Sequence, residues 1–242
     1  TVDECWQLVE TSERTKMHCM QLENCCYDFF ELLTLNMARQ GLFGEIVHCE
    51  GAYIHDLRWQ FTYDKNGYAD MWRLKENVRN GNLYPTHGLG PLCQIMNINR
   101  GDKMDYLTSV SSNDFSMASD LSQLAKEDPF FQPFADKKYR GNMNTSVVKT
   151  YGGKTIMIQH DVSSPRPYSR IHLVSGTRGG ASKWPSPARI ALGHSWLSPE
   201  EFKVLEDKYT PEIVKRVGEM AKEIGGHGGM HFIMDWRLID CL

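Results

Sequence analysis

The sequence has no C-x-x-C pair, no run of apolar residues long enough to cross a membrane, no basic-then-apolar leader, no internal repeat and no low-complexity tract. Its seven cysteines, Cys5, Cys19, Cys25, Cys26, Cys49, Cys93 and Cys241, follow no regular spacing, and two are adjacent. That pattern excludes a disulfide framework and a zinc ribbon, and predicts reduced, mostly buried thiols. Charge of one sign is also scarce. A net charge of -3 argues against nucleic acid or an anionic lipid surface as partner. The dinucleotide fingerprint G-x-G-x-x-G after a strand is missing, because Gly88-Leu89-Gly90 and Gly225-Gly226-His227-Gly228-Gly229 lack its spacing or its strand. What remains is an ordinary globular composition, 41% hydrophobic and 24% charged over 242 residues.

The most informative segment is Gly81-Asn82-Leu83-Tyr84-Pro85-Thr86-His87-Gly88-Leu89-Gly90-Pro91. Pro85 fixes its own φ and biases Tyr84 towards extended backbone. Thr86 reads as the N-cap of a helix running from His87 to Asn99. His87 then lies in a first helical turn, where partial positive charge favours the neutral imidazole, a base. A Tyr and a His presented together at a helix entrance suit proton transfer at a sugar hydroxyl.

The periodicity predicts an exposed amphipathic helix over Val2 to Thr15, a buried strand over Met17 to Leu22 and a helix over Tyr27 to Gln40. Strands are expected at Ile46 to Tyr53, Met104 to Ser112, Ser146 to Thr150, Thr155 to Val162 and Ser169 to Ser175, with a hairpin turn at Tyr151-Gly152-Gly153-Lys154. Ser198-Pro199-Glu200-Glu201 is a capping box and Thr210-Pro211-Glu212 opens a further helix. The fold class is therefore α/β (α+β) with an open, mainly antiparallel sheet. Both ends look interrupted, so the chain reads as an internal fragment.

Several groupings admit two readings. Glu23-Asn24 either meets a ribose or nicotinamide or caps the next helix. In Tyr53-Ile54-His55-Asp56, Tyr53 can reach a ligand, and His55 and Asp56 can pair or bind metal, although such neighbours are usually structural. Trp72-Arg73 suits sugar stacking or an interdomain clasp. The prolines of Pro165-Arg166-Pro167-Tyr168 hold Arg166 and Tyr168 for a ligand, or merely stop an edge strand. The glycines around His227 resemble a phosphate or metal loop, or more simply allow a tight turn. No metal is expected.

Five blocks in order, Leu22–Tyr27, Gly51–Arg58, Tyr84–Pro91, His160-Asp161 with Pro165–Tyr168, and Gly226–Met230, resemble the NAD-dependent α-N-acetylgalactosaminidases of glycoside hydrolase family 109. That family lies within the glucose-fructose oxidoreductase and inositol dehydrogenase superfamily. The resemblance implies a remnant of a Rossmann NAD-binding domain over residues 1–42 and a catalytic α/β domain over 43–242, with the pyrophosphate site upstream. It implies oxidation of the sugar 3-hydroxyl by NAD, loss of the C2 proton, elimination of the aglycone, addition of water and return of the hydride, with retention. Ordinary glycosidases need two carboxylates across the bond, and these blocks show no such pair. Carried onto this sequence, Glu23, Asn24, Trp72, Arg73 and Tyr84 line the cofactor, and Tyr53, Arg73, Tyr84, Pro85, Thr86, His87 and Tyr168 line the sugar. His87 is the base at the 3-hydroxyl with Tyr84 beside it; Tyr53 or Tyr168 handles the C2 or leaving-group proton. Arg73 would hold polar substituents and stabilise enolate charge.

Two positions depart from the pattern. Glu23-Asn24-Cys25 stands where the superfamily has Glu-Lys-Pro, and His231 stands where the family has Asp. Alternatives are an NAD(P)-dependent sugar oxidoreductase and a non-catalytic sugar-binding or scaffold fragment. The partners implied are a glycan ending in N-acetylgalactosamine and a second copy through the open sheet. Export of a prefolded protein and cytoplasmic residence are both left open.

Overall fold

The computed structural model describes residues 1–66 and 68–242, and the side chains of these except 68–70. In chain order its elements are helix α1 (Val2–Thr15), α2 (Phe29–Arg39), strand β1 (Ile46–Ile54), α3 (Tyr68–Glu76), α4 (Thr86–Ile95) and β2 (Met104–Ser111). Then come α5 (Met117–Glu127), α6 (Gln132–Ala135), β3 (Asn144–Thr150), β4 (Thr155–Asp161), β5 (His172–Gly176), β6 (Gly179–Lys183), β7 (Arg189–Leu192) and β8 (Ser195–Trp196). Helices α7 (Pro199–Tyr209), α8 (Glu212–Ile224) and α9 (Met230–Cys241) follow. A short helical turn covers Asn24–Tyr27, and a π-helical turn covers Arg58–Thr62.

The eight strands form one open sheet in the order β2-β3-β4-β1-β5-β6-β7-β8. Only β1 and β4 run parallel, with Tyr53 opposite His160 and Ile54 opposite Asp161; every other pairing is antiparallel. One face is covered by α2, α4 and α7 over a core that includes Leu33, Met37, Phe43, Cys49, Leu92, Met96, Ile156, Ile158 and Val174. On the other face Tyr106, Val110 and Val147 are exposed, and the edge strand β2 is exposed on both faces, Leu107 included.

Three expectations need correction. Met17 to Leu22 forms no strand but an irregular, largely exposed segment; its apolar residues find no sheet edge. Thr86 is the first residue of α4 rather than its cap, which falls on Pro85, and the helix stops at Ile95 because Asn97 and Asn99 take left-handed backbone. The thiols are all free, yet Cys5, Cys19 and Cys241 are exposed.

Candidate active site

Glycines bring the site together. Gly51 of β1 and Gly88 of α4 face each other, and a Cβ on Gly88 would lie 2.5 Å from the Ala52 amide nitrogen. Helix α4 therefore sits directly on β1, which puts its first turn, carrying His87, above Tyr53. Two residues on, a Cβ at Gly90 would lie 3.0 Å from Cys26 Sγ and from Glu23 Cγ. The short turn Asn24–Tyr27 thus packs on the same helix. These glycines serve close approach, not phosphate binding.

His87 Nδ1 donates to Glu23 Oε1 at 2.7 Å, and the Cys25 amide donates to the same oxygen at 2.9 Å. Burial would raise the Glu23 carboxyl, but the hydrogen bond and charge of His87, the Cys25 amide and the Thr86 hydroxyl outweigh it and hold it down to about 2. The electrostatic partner nearest the imidazole is this carboxylate, which sequence reasoning had assigned to the cofactor. The His87 ring stands edge-on to Tyr53 and to Tyr84, each at 4.8 Å between centroids. Tyr53 is 5.4 Å from Tyr84 and 6.5 Å from Tyr168. Two of the three tyrosines named from the sequence, Tyr53 and Tyr84, therefore flank this imidazole, and Tyr168 lies behind Tyr53, against His55 and Trp184. Burial, opposed by the charge of Arg73, pushes the Tyr53 phenol up to about 12, so it remains a donor.

His55 and Arg73 complete the aromatic side. His55 Nδ1 lies 3.4 Å from the Tyr53 hydroxyl, and its ring is 5.2 Å from Tyr168. It does not pair with Asp56. That carboxylate binds Arg58 at 2.9 Å, and Arg58 reaches Asp120 at 3.1 Å, so His55-Asp56 is no metal dyad. Arg73 stacks over Trp72 at 4.6 Å, and both line the back of the Tyr84 and His160 rings with Asn77 and Val162. His160 is buried; burial first, then the charges of Arg140 and Arg73, push its pKa down to about 3. It stays neutral.

Beneath the short turn lies a buried ionic cluster. Arg170 donates to Glu31 at 2.9 Å, to Asp28, and to Cys25 Sγ at 2.8 Å, while Lys183 reaches Asp28 at 2.9 Å and Glu31 at 3.3 Å. Burial prevails at Glu31 and raises it; at Asp28 the cations prevail and lower it. Sequence reasoning pointed to Arg166, which is exposed. The engaged guanidinium is four residues on, where the chain re-enters the sheet. Among the described residues one donor set is compact enough for a metal, Glu23, Cys25 and His87 within 4.8 Å. Burial raises the Cys25 thiol well above its ordinary value, and Arg170 already occupies its sulfur. A cation is disfavoured there.

Asn24 Nδ2 donates to His231 Nε2 at 2.9 Å, across 207 residues of sequence. His231, noted only as a departure, is thus part of the wall, as are Arg170 and His160. The signal available for His231 was its place directly after the block Gly226–Met230.

Residues 27–242 match the family described as glycosyl hydrolase 109, C-terminal domain. The chain is 50% identical over 249 aligned residues to an alpha-N-acetylgalactosaminidase of Bacteroides fragilis, covering 100% of this chain and 58% of that protein. It is 47% identical to a glycosyl hydrolase family 109 protein of Shewanella sp. (strain ANA-3), covering 100% of this chain and 53% of that one. It thus spans little more than half the length of these curated relatives. In fold it is similar to an inositol dehydrogenase homologue of Azotobacter vinelandii solved with NADH and myo-inositol, with a TM-score of 0.54, 14% identity, and 98% of this chain and 64% of that one covered. It is similar also to an NAD-binding oxidoreductase of Klebsiella pneumoniae, with a TM-score of 0.56, 13% identity, and 80% and 48% covered. The chain belongs to the glycosyl hydrolase 109 family.

Proposed function

We propose that the protein carrying this chain is an NAD-dependent glycosidase that releases terminal α-linked N-acetylgalactosamine with retention. The observation that carries the reading is the Glu23–His87 pair flanked by Tyr53 and Tyr84, with Tyr168 beside Tyr53, in a member of this family. The donor set of the short turn, a carboxylate and a carboxamide beside an imidazole, fits the nicotinamide end of NAD. NAD, when bound, would take a hydride from the sugar's C3 and later return it.

The chain's own residues supply the proton chemistry. With Nδ1–H donated to Glu23, His87 has Nε2 left to accept the 3-hydroxyl proton, and the Glu23 carboxylate stabilises the imidazolium that forms. Tyr84 stands beside His87 for relay of that proton. Tyr53, kept protonated by burial, or Tyr168 is the hydroxyl for the C2 or leaving-group proton. Arg73 supplies positive charge on the Tyr53 side for a developing enolate. Pro85 and Thr86 shape the sugar's edge, and Asn24, Trp72 and Arg73 belong to the cofactor contacts.

Residues 1–42 we assign to the end of a nucleotide-binding domain and 43–242 to the substrate domain. Helix α2 shares the core of the sheet, so this boundary is a seam in sequence rather than a cleft. The exposed sheet face with Tyr106, Val110 and Val147 suits pairing with a second copy.

The experiment uses the full-length protein with p-nitrophenyl α-N-acetylgalactosaminide, unlabelled and deuterated at C2. Nitrophenol release with a C2 isotope effect and no net NADH is expected. Release independent of NAD would sink the mechanism, and steady NADH formation without release would make the protein a sugar dehydrogenase.

A further inference from the structure

Cys25 and Cys26 are adjacent and both buried, and the chemistry above uses neither thiol. Each sulfur meets a different support. Cys26 Sγ packs beside Gly90 of α4, where a Cβ would come within 3.0 Å of it. Cys25 Sγ accepts from Arg170 Nη1 at 2.8 Å, just ahead of β5. The short turn Asn24–Tyr27 is thus fastened to the helix by one sulfur and to the sheet by the other.

The support behind Cys25 is fixed. The Arg170 guanidinium is buried, and its Nη2 donates to Asp28 and, at 2.9 Å, to the buried Glu31. It cannot swing away from the sulfur without stranding charge in the interior. Burial raises the Cys25 thiol, which stays protonated, so its sulfur gives a lone pair to Arg170 while S–H donates to Asn24 Oδ1 at 3.8 Å. The amide of the same residue donates to Glu23 Oε1 at 2.9 Å, the oxygen that also takes His87 Nδ1–H at 2.7 Å. Cys25 therefore touches the ion cluster with its side chain and the carboxylate of the Glu23–His87 pair with its backbone. Released from Arg170, the Cys25 peptide could rotate, and the amide hydrogen bond to Glu23 weakens steeply as its angle closes.

We propose that Cys25 is a positioning residue for the reaction: its thiol carries the fixed place of Arg170 through its own amide to Glu23, and so sets the reach of His87. The inference rests on the reading of His87 as the base.

The test is a double-mutant cycle in the full-length protein, with Cys25→Ala and Glu23→Ala made singly and together. Nitrophenol release gives kcat and KM, and NAD titration and thermal melting accompany it. Cys25→Ala should lower kcat about ten- to a hundredfold, the scale for a misplaced reacting group, with KM and NAD affinity within about threefold of wild type. Cys25→Ser keeps an acceptor for Arg170 and should recover most of that loss. On top of Glu23→Ala, Cys25→Ala should cost less than about threefold, because the group it positions is gone. If Cys25→Ala fails to fold, Cys25→Val, which keeps the bulk of the sulfur without accepting, takes its place. A kcat within about twofold of wild type, equal losses in the Ala and Ser variants, or losses that simply multiply in the cycle would each overturn the proposal. Failure of both apolar variants to fold would overturn it too, by making Cys25 a residue of the fold alone. Release independent of NAD, or NADH formation without release, would remove the glycosidase mechanism; the same cycle, read on whichever product forms, then decides Cys25 separately. A wild type with no turnover of either kind overturns both.

Discussion

His87 and Glu23 lie 64 residues apart in sequence and 2.7 Å apart in space, Nδ1 to Oε1. The pair orients the imidazole and fixes which nitrogen faces outward, and its placement depends on packing glycines rather than on a loop.

Removing the imidazole should remove turnover. His87→Ala is expected to lower kcat by about 10²- to 10⁴-fold, the range for loss of a positioned base. Melting temperature and NAD affinity should change little. A kcat within threefold of wild type in the nitrophenol assay would rule out His87 as the base.

The Glu23 carboxyl gives the pair an acid limit. Its folded value of about 2 lies below the ordinary 4.5, so the folded state binds fewer protons than the unfolded chain. The stabilisation is complete above the unfolded value and is lost as pH falls from there towards 2, on the order of 2 kcal/mol. Melting curves between pH 6 and 3 should show Glu23→Gln losing less stability on acidification than wild type. The same variant should lower kcat, because the imidazolium loses its counter-charge.

Two neighbouring glycines should respond differently to one methyl group. A Cβ at Gly88 meets backbone of Ala52 and Gly51 at 2.5 and 2.9 Å, so Gly88→Ala must lift the helix off the strand. A cost of about 1–3 kcal/mol is expected, read as a melting temperature lower by several degrees. At Gly90 the methyl meets side-chain atoms of Cys26 and Glu23 at 3.0 Å. Gly90→Ala should melt closer to wild type and show its effect in kcat, through the displaced carboxylate. Equal melting temperatures for both variants would contradict the packing described.

The buried cluster makes Arg170 structurally indispensable. Arg170→Ala leaves Asp28 and Glu31 facing Lys183 alone and should cost about 3–5 kcal/mol. Arg170→Lys should rescue poorly, since an ammonium cannot span both carboxylates and the Cys25 sulfur. Denaturant melts of the two variants check this.

If the open face joins two copies, Val110→Lys should halve the native mass measured by light scattering and leave the monomer's melting behaviour intact. An unchanged mass, whether monomeric or dimeric, would remove this face from the interface.

Much of this arrangement could be read from local sequence. The strands at Ile46, Met104, Thr155 and near Ser169 alternate or carry β-branched residues, and the turn Tyr151–Lys154 and the capping box at Ser198 announce themselves by residue type. Strands β6 to β8 do not, because Gly179-Gly180-Ala181-Ser182 has little large apolar alternation and borrows its stability from neighbours. The apolar residues of Met17 to Leu22 misled for the converse reason: pattern without a partner. Tyr53, Tyr84, His87 and Tyr168 were accessible as types in a motif, and the structure gathers them. Contacts such as Asn24 with His231 are tertiary, and no local signal encodes a pairing across 207 residues.

Because β1 and β4 run parallel, both strands leave the sheet at the same end, where Tyr53 and His160 stand in register. Strand β5 enters at that end from Tyr168 and Arg170, so the candidate site occupies a single rim. The opposite rim holds the turn Tyr151–Lys154 and the link from Gly176 to Gly179. A fluorophore, a linker or a whole fused module inserted between Gly152 and Gly153 would therefore sit a full strand length from the candidate site. The molecule offers a working end and a handle.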